Sequence, residues 1–218
     1  MFYALAKALI VGPVVRLRYR PWITGLEHVP YRGAAILASN HLSASDTVLL
    51  PVMVPREISF LAKSEFFIGT GFRGALVRRF FLLARQLPMD RAGGRGASAS
   101  LEAGQVALRE GRLLGIYPEG TRSPDGRLYR GRVGVARLAL QTGLPVIPVA
   151  MIPADADHPR RAGRRGVGIV IGEPLRVSRD AGAGGQASLR ALTNQVMERI
   201  RELSGQEYVD AYSPPRGA

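Results

Sequence analysis

No cysteine occurs among the 218 residues. That excludes disulfides, thiolate metal sites and a cysteine nucleophile. Histidine is scarce too. His28, His41 and His158 are scattered without metal-ligand spacing, so no metal site is expected. Acidic residues are few: 17 against 30 lysines and arginines, a formal net charge of +13. Such a chain suits anionic partners: nucleic acid, acidic lipid, or phosphate-bearing cofactors and substrates. Basic and aromatic residues are not interleaved and no nucleic-acid motif is present, so no nucleic-acid partner is expected. Gly-x-Ser-x-Gly, the nucleophile elbow of serine hydrolases, is also missing. There is no internal repeat and no long linker.

The N-terminal apolar stretch, Met1 to Val15, is shorter than the roughly 20 residues that cross a bilayer. It holds Phe2, Tyr3, Leu5, Leu9, Ile10, Val14 and Val15, interrupted by Lys7 and Pro13. Arg16, Arg18 and Arg20 follow, then Trp22. An apolar segment beside basic residues and a tryptophan points to residues 1–22 lying in a membrane surface. A signal peptide would carry its charges before the apolar part. The alternative is a helix packed on the domain's own core.

Further on, apolar strand-like runs alternate with helical patterns. Strands are predicted at 34–39, 57–62, 112–117, 145–152 and 167–172. Helices are predicted at 45–54, 65–84, 97–110, 132–142 and 186–203, with Gly111 and Gly143 placed to stop two of them. In the last helix Leu189, Leu192, Val196, Ile200 and Leu203 give one apolar face. The alternation implies an α/β domain with a mixed, mainly parallel sheet flanked by helices, over residues 23–205. Residues 92–96, Ala-Gly-Gly-Arg-Gly, read as a flexible loop. Arg160, Arg161, Arg164 and Arg165 read as a solvated charge run or as a phosphate or lipid contact. The tail, 206–218, reads as extended or poorly ordered.

Two polar clusters follow strand-like runs. The first is Ser39-Asn40-His41-Leu42-Ser43-Ala44-Ser45-Asp46. Five residues at about 100° each would place His41 and Asp46 on different helix faces. They can meet if His41 lies in the turn leaving a strand and Asp46 in the first turn of the next helix, with Ser43 or Ser45 as its cap. A neutral imidazole held by a carboxylate is a general base. The second cluster is Tyr117-Pro118-Glu119-Gly120-Thr121-Arg122-Ser123. Gly120 lets backbone approach a ligand, and Arg122 offers a planar fork of donors suited to phosphate. Glu119 is placed to position Arg122 or an acceptor hydroxyl. Gly69-Thr70-Gly71-Phe72-Arg73-Gly74 matches a dinucleotide fingerprint, but its glycines do not follow a strand directly.

Asn-His-(x)4-Asp at one strand end and Pro-Glu-Gly-Thr-Arg at a later one resemble the 1-acylglycerol-3-phosphate acyltransferase family of glycerolipid acyltransferases. The resemblance runs from about Ile23 to Tyr212. Thr24-Gly25-Leu26-Glu27-His28-Val29-Pro30 is similar to the family's lead-in. Leu144-Pro145-Val146-Ile147-Pro148-Val149 is similar to its buried strand near the acyl donor, and Gly172-Glu173-Pro174-Leu175 to its late turn. Lys63-Ser64-Glu65, Phe80-Phe81 and Asp90-Arg91 match its second block, without aromatics just before Asp90. Leu42 stands where many members carry glutamine.

The resemblance implies direct acyl transfer from acyl-coenzyme A or acyl-carrier protein to a lysophosphatidate-like acceptor, giving phosphatidate for phospholipid biosynthesis. It implies His41 as base and Asp46 as the residue that orients it. It places Arg91, Glu119, Gly120 and Arg122 at the acceptor's glycerol phosphate, with Asn40, Lys63 and Thr121 as further substrate-binding positions. No metal or bound cofactor is implied. The expected location is peripheral, on the cytoplasmic face of an anionic membrane. Glycerol 3-phosphate, a lysophospholipid or monoacylglycerol are alternative acceptors. A basic, non-catalytic lipid-binding module is the alternative from another functional class.

Overall fold

Runs of Ile, Val, Leu and Ala supply strands buried on both faces, which is what a parallel sheet covered by helices requires. The computed structural model describes residues 7–83, 85–89, 94–154, 158, 163, 165–177 and 185–214. Its strands are β1 (Trp22–Thr24), β2 (Ala35–Ser39), β3 (Ile58–Lys63), β4 (Leu87–Met89), β5 (Leu113–Ile116), β6 (Leu128–Tyr129), β7 (Val146–Ile152), β8 (Gly168–Ile171) and β9 (Tyr208–Val209). Seven of them form one sheet in the order β1-β8-β7-β2-β5-β3-β4, and β6 pairs with β9. Strands β2, β3, β4, β5 and β7 run parallel, while β8 is antiparallel to β7. The sheet is therefore mixed and mainly parallel, as the alternation implies.

The helices are α1 (Gly12–Tyr19), α2 (Asp46–Met53), α3 (Glu65–Ile68), α4 (Gly71–Leu83), α5 (Gly94–Arg109), α6 (Gly134–Thr142) and α7 (Gly185–Ser204). One core layer joins Leu37, Leu49, Leu50, Ile58, Ile147 and Met151, and another joins Ile36, Leu114, Leu138, Val196 and Ile200. All of these are essentially fully buried, each stabilising the fold by about 1.5–3 kcal/mol of transfer free energy.

Several boundaries differ from the sequence reading. The expected helix 65–84 is two helices, because Gly71 adopts φ +72° and the backbones of Gly69 and Gly74 meet. A Cβ on Gly74 would lie 2.4 Å from the Gly69 carbonyl carbon. The fingerprint-like glycines thus close a turn between helices and do not leave a strand. Gly94 to Gly96 belong to the first turn of α5 instead of a loop. No serine side chain caps α2. Trp22 is buried, not interfacial, since Gly168 opposite leaves its ring the space a Cβ would fill. Residues 206–213 are extended but not detached: β9 lies along β6, and Arg130 N–H donates to the Ala211 carbonyl. Of the arginine loop, only Arg165 is among the described residues, and it is exposed.

The N-terminal segment enters as a π-helical turn, Lys7–Val11, that continues into α1. Val15 is buried in the core, with Val11 and Tyr19 packed beside it. The other face carries Leu9, Val14 and Leu17, which are 67%, 63% and 83% exposed. Among the described residues no helix is long and apolar enough to cross a membrane.

Candidate active site

Parallel strands bring their C-terminal ends to one edge of a sheet, and ligands of open α/β folds bind outside that edge. The turns after β2 and β5 meet there because the two strands pair directly, Ala38 opposite Ile116. Backbone pairing of β2 with β7 ends at Ser39. Asn40 then continues the ladder with its side chain. Its Oδ1 accepts from Met151 N–H at 2.7 Å, and its Nδ2 donates to the Met151 carbonyl at 3.0 Å. Nδ2 also donates to Gln206 Oε1 at 2.6 Å. Asn40 is fully buried. Its carboxamide holds the turn through Met151 and Gln206.

The next residue turns off the sheet. His41 Nδ1 lies 3.1 Å from Asp46 Oδ2. The same carboxylate oxygen accepts the backbone N–H groups of Leu42 at 2.7 Å and Ser43 at 2.8 Å. Asp46 thus caps its own helix start from the first turn, in place of either serine. An imidazole that donates from Nδ1 presents an unprotonated Nε2, the form a general base needs. One face of the His41 ring stacks on Tyr117, with centroids 3.9 Å apart. Burial and the nearby Asp46 hold the Tyr117 phenol well above its ordinary range.

Glu119 is 1% exposed. Its Oε1 accepts from His41 N–H at 3.3 Å and its Oε2 from Tyr129 N–H at 2.9 Å. Burial raises its carboxyl from the ordinary 4.5 to about 7, and the two backbone donors limit the rise. It therefore joins the two clusters from beneath, through the backbone N–H groups of His41 and Tyr129. Gly120, at φ +77°, makes the exposed turn that follows. A Cβ there would lie 3.0 Å from Arg132 Nε. Thr121 and Arg122 are half-buried. The Arg122 guanidinium makes no hydrogen bond or ion pair among the described residues. Ser123 N–H donates to the His41 carbonyl at 2.7 Å, which fixes Arg122 beside the histidine turn. Lys63 ends β3 at the same edge, and Arg91 lies outside the described residues. No group of His, Asp and Glu suited to a metal ion occurs among the described residues.

The family model for acyltransferases matches residues 20–152, more than half of the chain. This chain belongs to the acyltransferase family. It is an enzyme, and the matched segment contains both polar clusters. The 1-acyl-sn-glycerol-3-phosphate acyltransferase of Bacillus subtilis is 29% identical over 206 residues, covering 93% of this chain and 96% of the relative. The 1-acyl-sn-glycerol-3-phosphate acyltransferase of Limnanthes alba is 35% identical over 130 residues, covering 59% of this chain and 44% of the relative. The chain thus spans nearly all of one relative and under half of the other. The crystal structure of the 1-acyl-sn-glycerophosphate acyltransferase of Thermotoga maritima has the same fold. It superposes with a TM-score of 0.62 at 23% identity, covering 93% of this chain and 86% of that one.

The acyltransferase carries site features that the sequence reading missed. Gln206 lies 166 positions from Asn40, so nothing local in the sequence signals their contact. Arg132 stands over Gly120 with its guanidinium 5.1 Å from the Tyr212 ring centroid. A cavity of about 730 Å³ is lined by His28, Gly143, Pro145, Glu173, Pro174 and Arg176. It lies at the opposite sheet edge, where β7 begins, and so apart from His41. The lead-in and late-turn motifs meet there: His28 Nδ1 is 3.0 Å from the Ile171 carbonyl oxygen, and Leu175 pairs with Val146.

Proposed function

We propose that this acyltransferase moves a fatty acyl chain from acyl-coenzyme A or acyl-carrier protein to the free hydroxyl of 1-acylglycerol 3-phosphate. The products are phosphatidate and the free thiol. The observation that carries this reading is the pairing of His41 Nδ1 with Asp46, beside an Arg122 guanidinium that has no partner among the described residues. His41 Nε2 takes the hydroxyl proton as the acceptor oxygen attacks the thioester carbonyl. The tetrahedral intermediate expels the thiolate, which takes the proton back from His41. Asp46 sets the tautomer and supports the imidazolium. Arg122 receives the acceptor phosphate through two parallel hydrogen bonds. Similarity to 1-acyl-sn-glycerol-3-phosphate acyltransferases supports the acceptor.

The enzyme is also read as a peripheral membrane protein of the cytoplasmic face. Leu9 in the π-helical turn and Val14 and Leu17 on α1 are exposed, and α1 leans on the helix that begins at Asp46. Ile68 and Phe72, 72% and 85% exposed, follow β3 at the sheet edge where His41 lies. An apolar surface on that side would bring the site to an acceptor that resides in lipid.

One assay tests the function: thiol release from acyl-coenzyme A, and acyl loss from acyl-carrier protein, each with a panel of acceptors. Lysophosphatidate should be used well ahead of glycerol 3-phosphate, lysophospholipid and monoacylglycerol. His41→Ala should lower turnover by about 10³-fold or more while the fold survives. Equal use of monoacylglycerol would remove the phosphate from the acceptor assignment. Normal turnover by folded His41→Ala protein would remove the base.

A further inference from the structure

Three rings stand in a column that ends at His41. Gly115 in β5 gives the first its space, since a Cβ there would lie 2.3 Å from the Phe60 ring. Phe60 stacks on Tyr117 with centroids 5.4 Å apart and planes inclined by 23°. Tyr117 stacks on His41 with centroids 3.9 Å apart and planes inclined by 13°. The imidazole therefore has Asp46 at one edge and an aromatic face against one of its own faces.

We propose that Tyr117 is a positioning residue whose π face steadies the imidazolium formed when His41 takes the acceptor's proton. The inference rests on the general-base reading of His41. An aromatic face is the negative end of a quadrupole, and it attracts a cation within about 6 Å of the centroid. Neutral imidazole gains packing from the stack, whereas imidazolium gains packing and electrostatic attraction. The extra attraction grows as charge develops, so it favours the transition state over the bound substrates. Solvent screens it little, because the His41 side chain is only 13% exposed. Asp46 acts in the ring plane and Tyr117 from above it, so neither does the other's work.

The phenol hydroxyl is not the working group. Its oxygen is buried and has no hydrogen-bond partner among the described residues, so it is not presented to a substrate. Leaving it unpaired costs stability. The ring alone should therefore suffice.

The test uses acyl-coenzyme A and lysophosphatidate with the full chain. Tyr117→Phe should keep kcat within about twofold and leave the thermal midpoint unchanged or raised. Tyr117→Leu should lower kcat by about tenfold with both KM values unchanged. Leucine also alters packing, so a series of fluorinated phenylalanines at position 117 separates shape from charge. Fluorine drains the π face while nearly keeping the outline, and kcat should fall stepwise, about tenfold from phenylalanine to pentafluorophenylalanine. A flat series, a normal kcat for Tyr117→Leu, or a change confined to KM would overturn the inference. His41→Ala is measured alongside. If it is inactive while the series is flat, only the role of Tyr117 falls. If it is active, the general-base reading falls first.

Discussion

A carboxamide has the donor and acceptor of a peptide group, and Asn40 is used as one where β2 leaves the ladder. Glu119 is turned inward in the same way, toward two backbone N–H groups. Burial makes its ionised form costly. A rise from 4.5 to about 7 corresponds to roughly 3 kcal/mol against the charged state. Because the folded protein holds this proton more tightly than the unfolded chain, the contribution to stability is fully present below about pH 4.5. It is lost as pH rises through 7. Glutamine does not ionise, though its NH2 faces one of the two backbone donors, so the thermal midpoint of Glu119→Gln relative to the parent should be more favourable at pH 8 than at pH 5. A difference between the two proteins that is the same at both pH values would refute the assignment. Arg122 is the opposite kind of residue, half-buried and without a partner among the described residues. Arg122→Lys keeps the charge and loses the fork, so the lysophosphatidate KM should rise about tenfold while the donor KM moves much less. A rise in donor KM alone would assign Arg122 to the coenzyme phosphates. The His41–Asp46 pair was legible because its partners lie within one turn of chain. The inward direction of Asn40 and Glu119 was not, since Met151, Gln206 and Tyr129 reach them only through the fold.

Elements show the same division between local and distant causes. The strands β2, β3, β5, β7 and β8 follow from their apolar runs. Strands β6 and β9 have two residues each and exist through their pairing with one another, which no local pattern reveals. The split between α3 and α4 depends on two glycine backbones meeting, again a tertiary cause. Helix α1 has one face packed in the core and another that exposes apolar side chains. Val15 packs in the core, whereas Val14 and Leu17 point away from it and remain exposed. This separation can be measured. Val15→Asp should destabilise the protein by several kcal/mol, because it buries an unpaired charge. Leu17→Glu should leave the thermal midpoint within about 1 °C, since an exposed change of this kind is close to neutral. The same change should weaken binding to vesicles several-fold. If Leu17→Glu binds vesicles as the parent does, α1 is not the membrane contact.

At the scale of the whole molecule, the excess of 30 basic over 17 acidic residues sets a field that no single contact accounts for. Arg16, Arg18 and Arg20 are exposed or nearly so and flank the apolar face of α1, with Arg20 closing the helix in the left-handed conformation. Each basic residue near an anionic leaflet contributes about 1 kcal/mol, and the attraction fades within a Debye length. That length shrinks from about 10 Å at 0.1 M salt to about 3 Å at 1 M. The apolar contribution of α1 has no such dependence. Binding to vesicles containing phosphatidylglycerol should therefore weaken by about tenfold or more when salt rises from 0.1 to 1 M, without vanishing. Vesicles of phosphatidylcholine alone should bind weakly and with little salt dependence. In combination, Leu17→Glu at high salt should lose nearly all binding, because each contribution has then been removed. Cosedimentation at the two salt concentrations reads all four cases. Salt-independent binding to anionic vesicles would mean that the charge serves the substrates' phosphates and not the leaflet. The same salt increase should then raise the KM of the anionic substrates and leave vesicle binding unaltered.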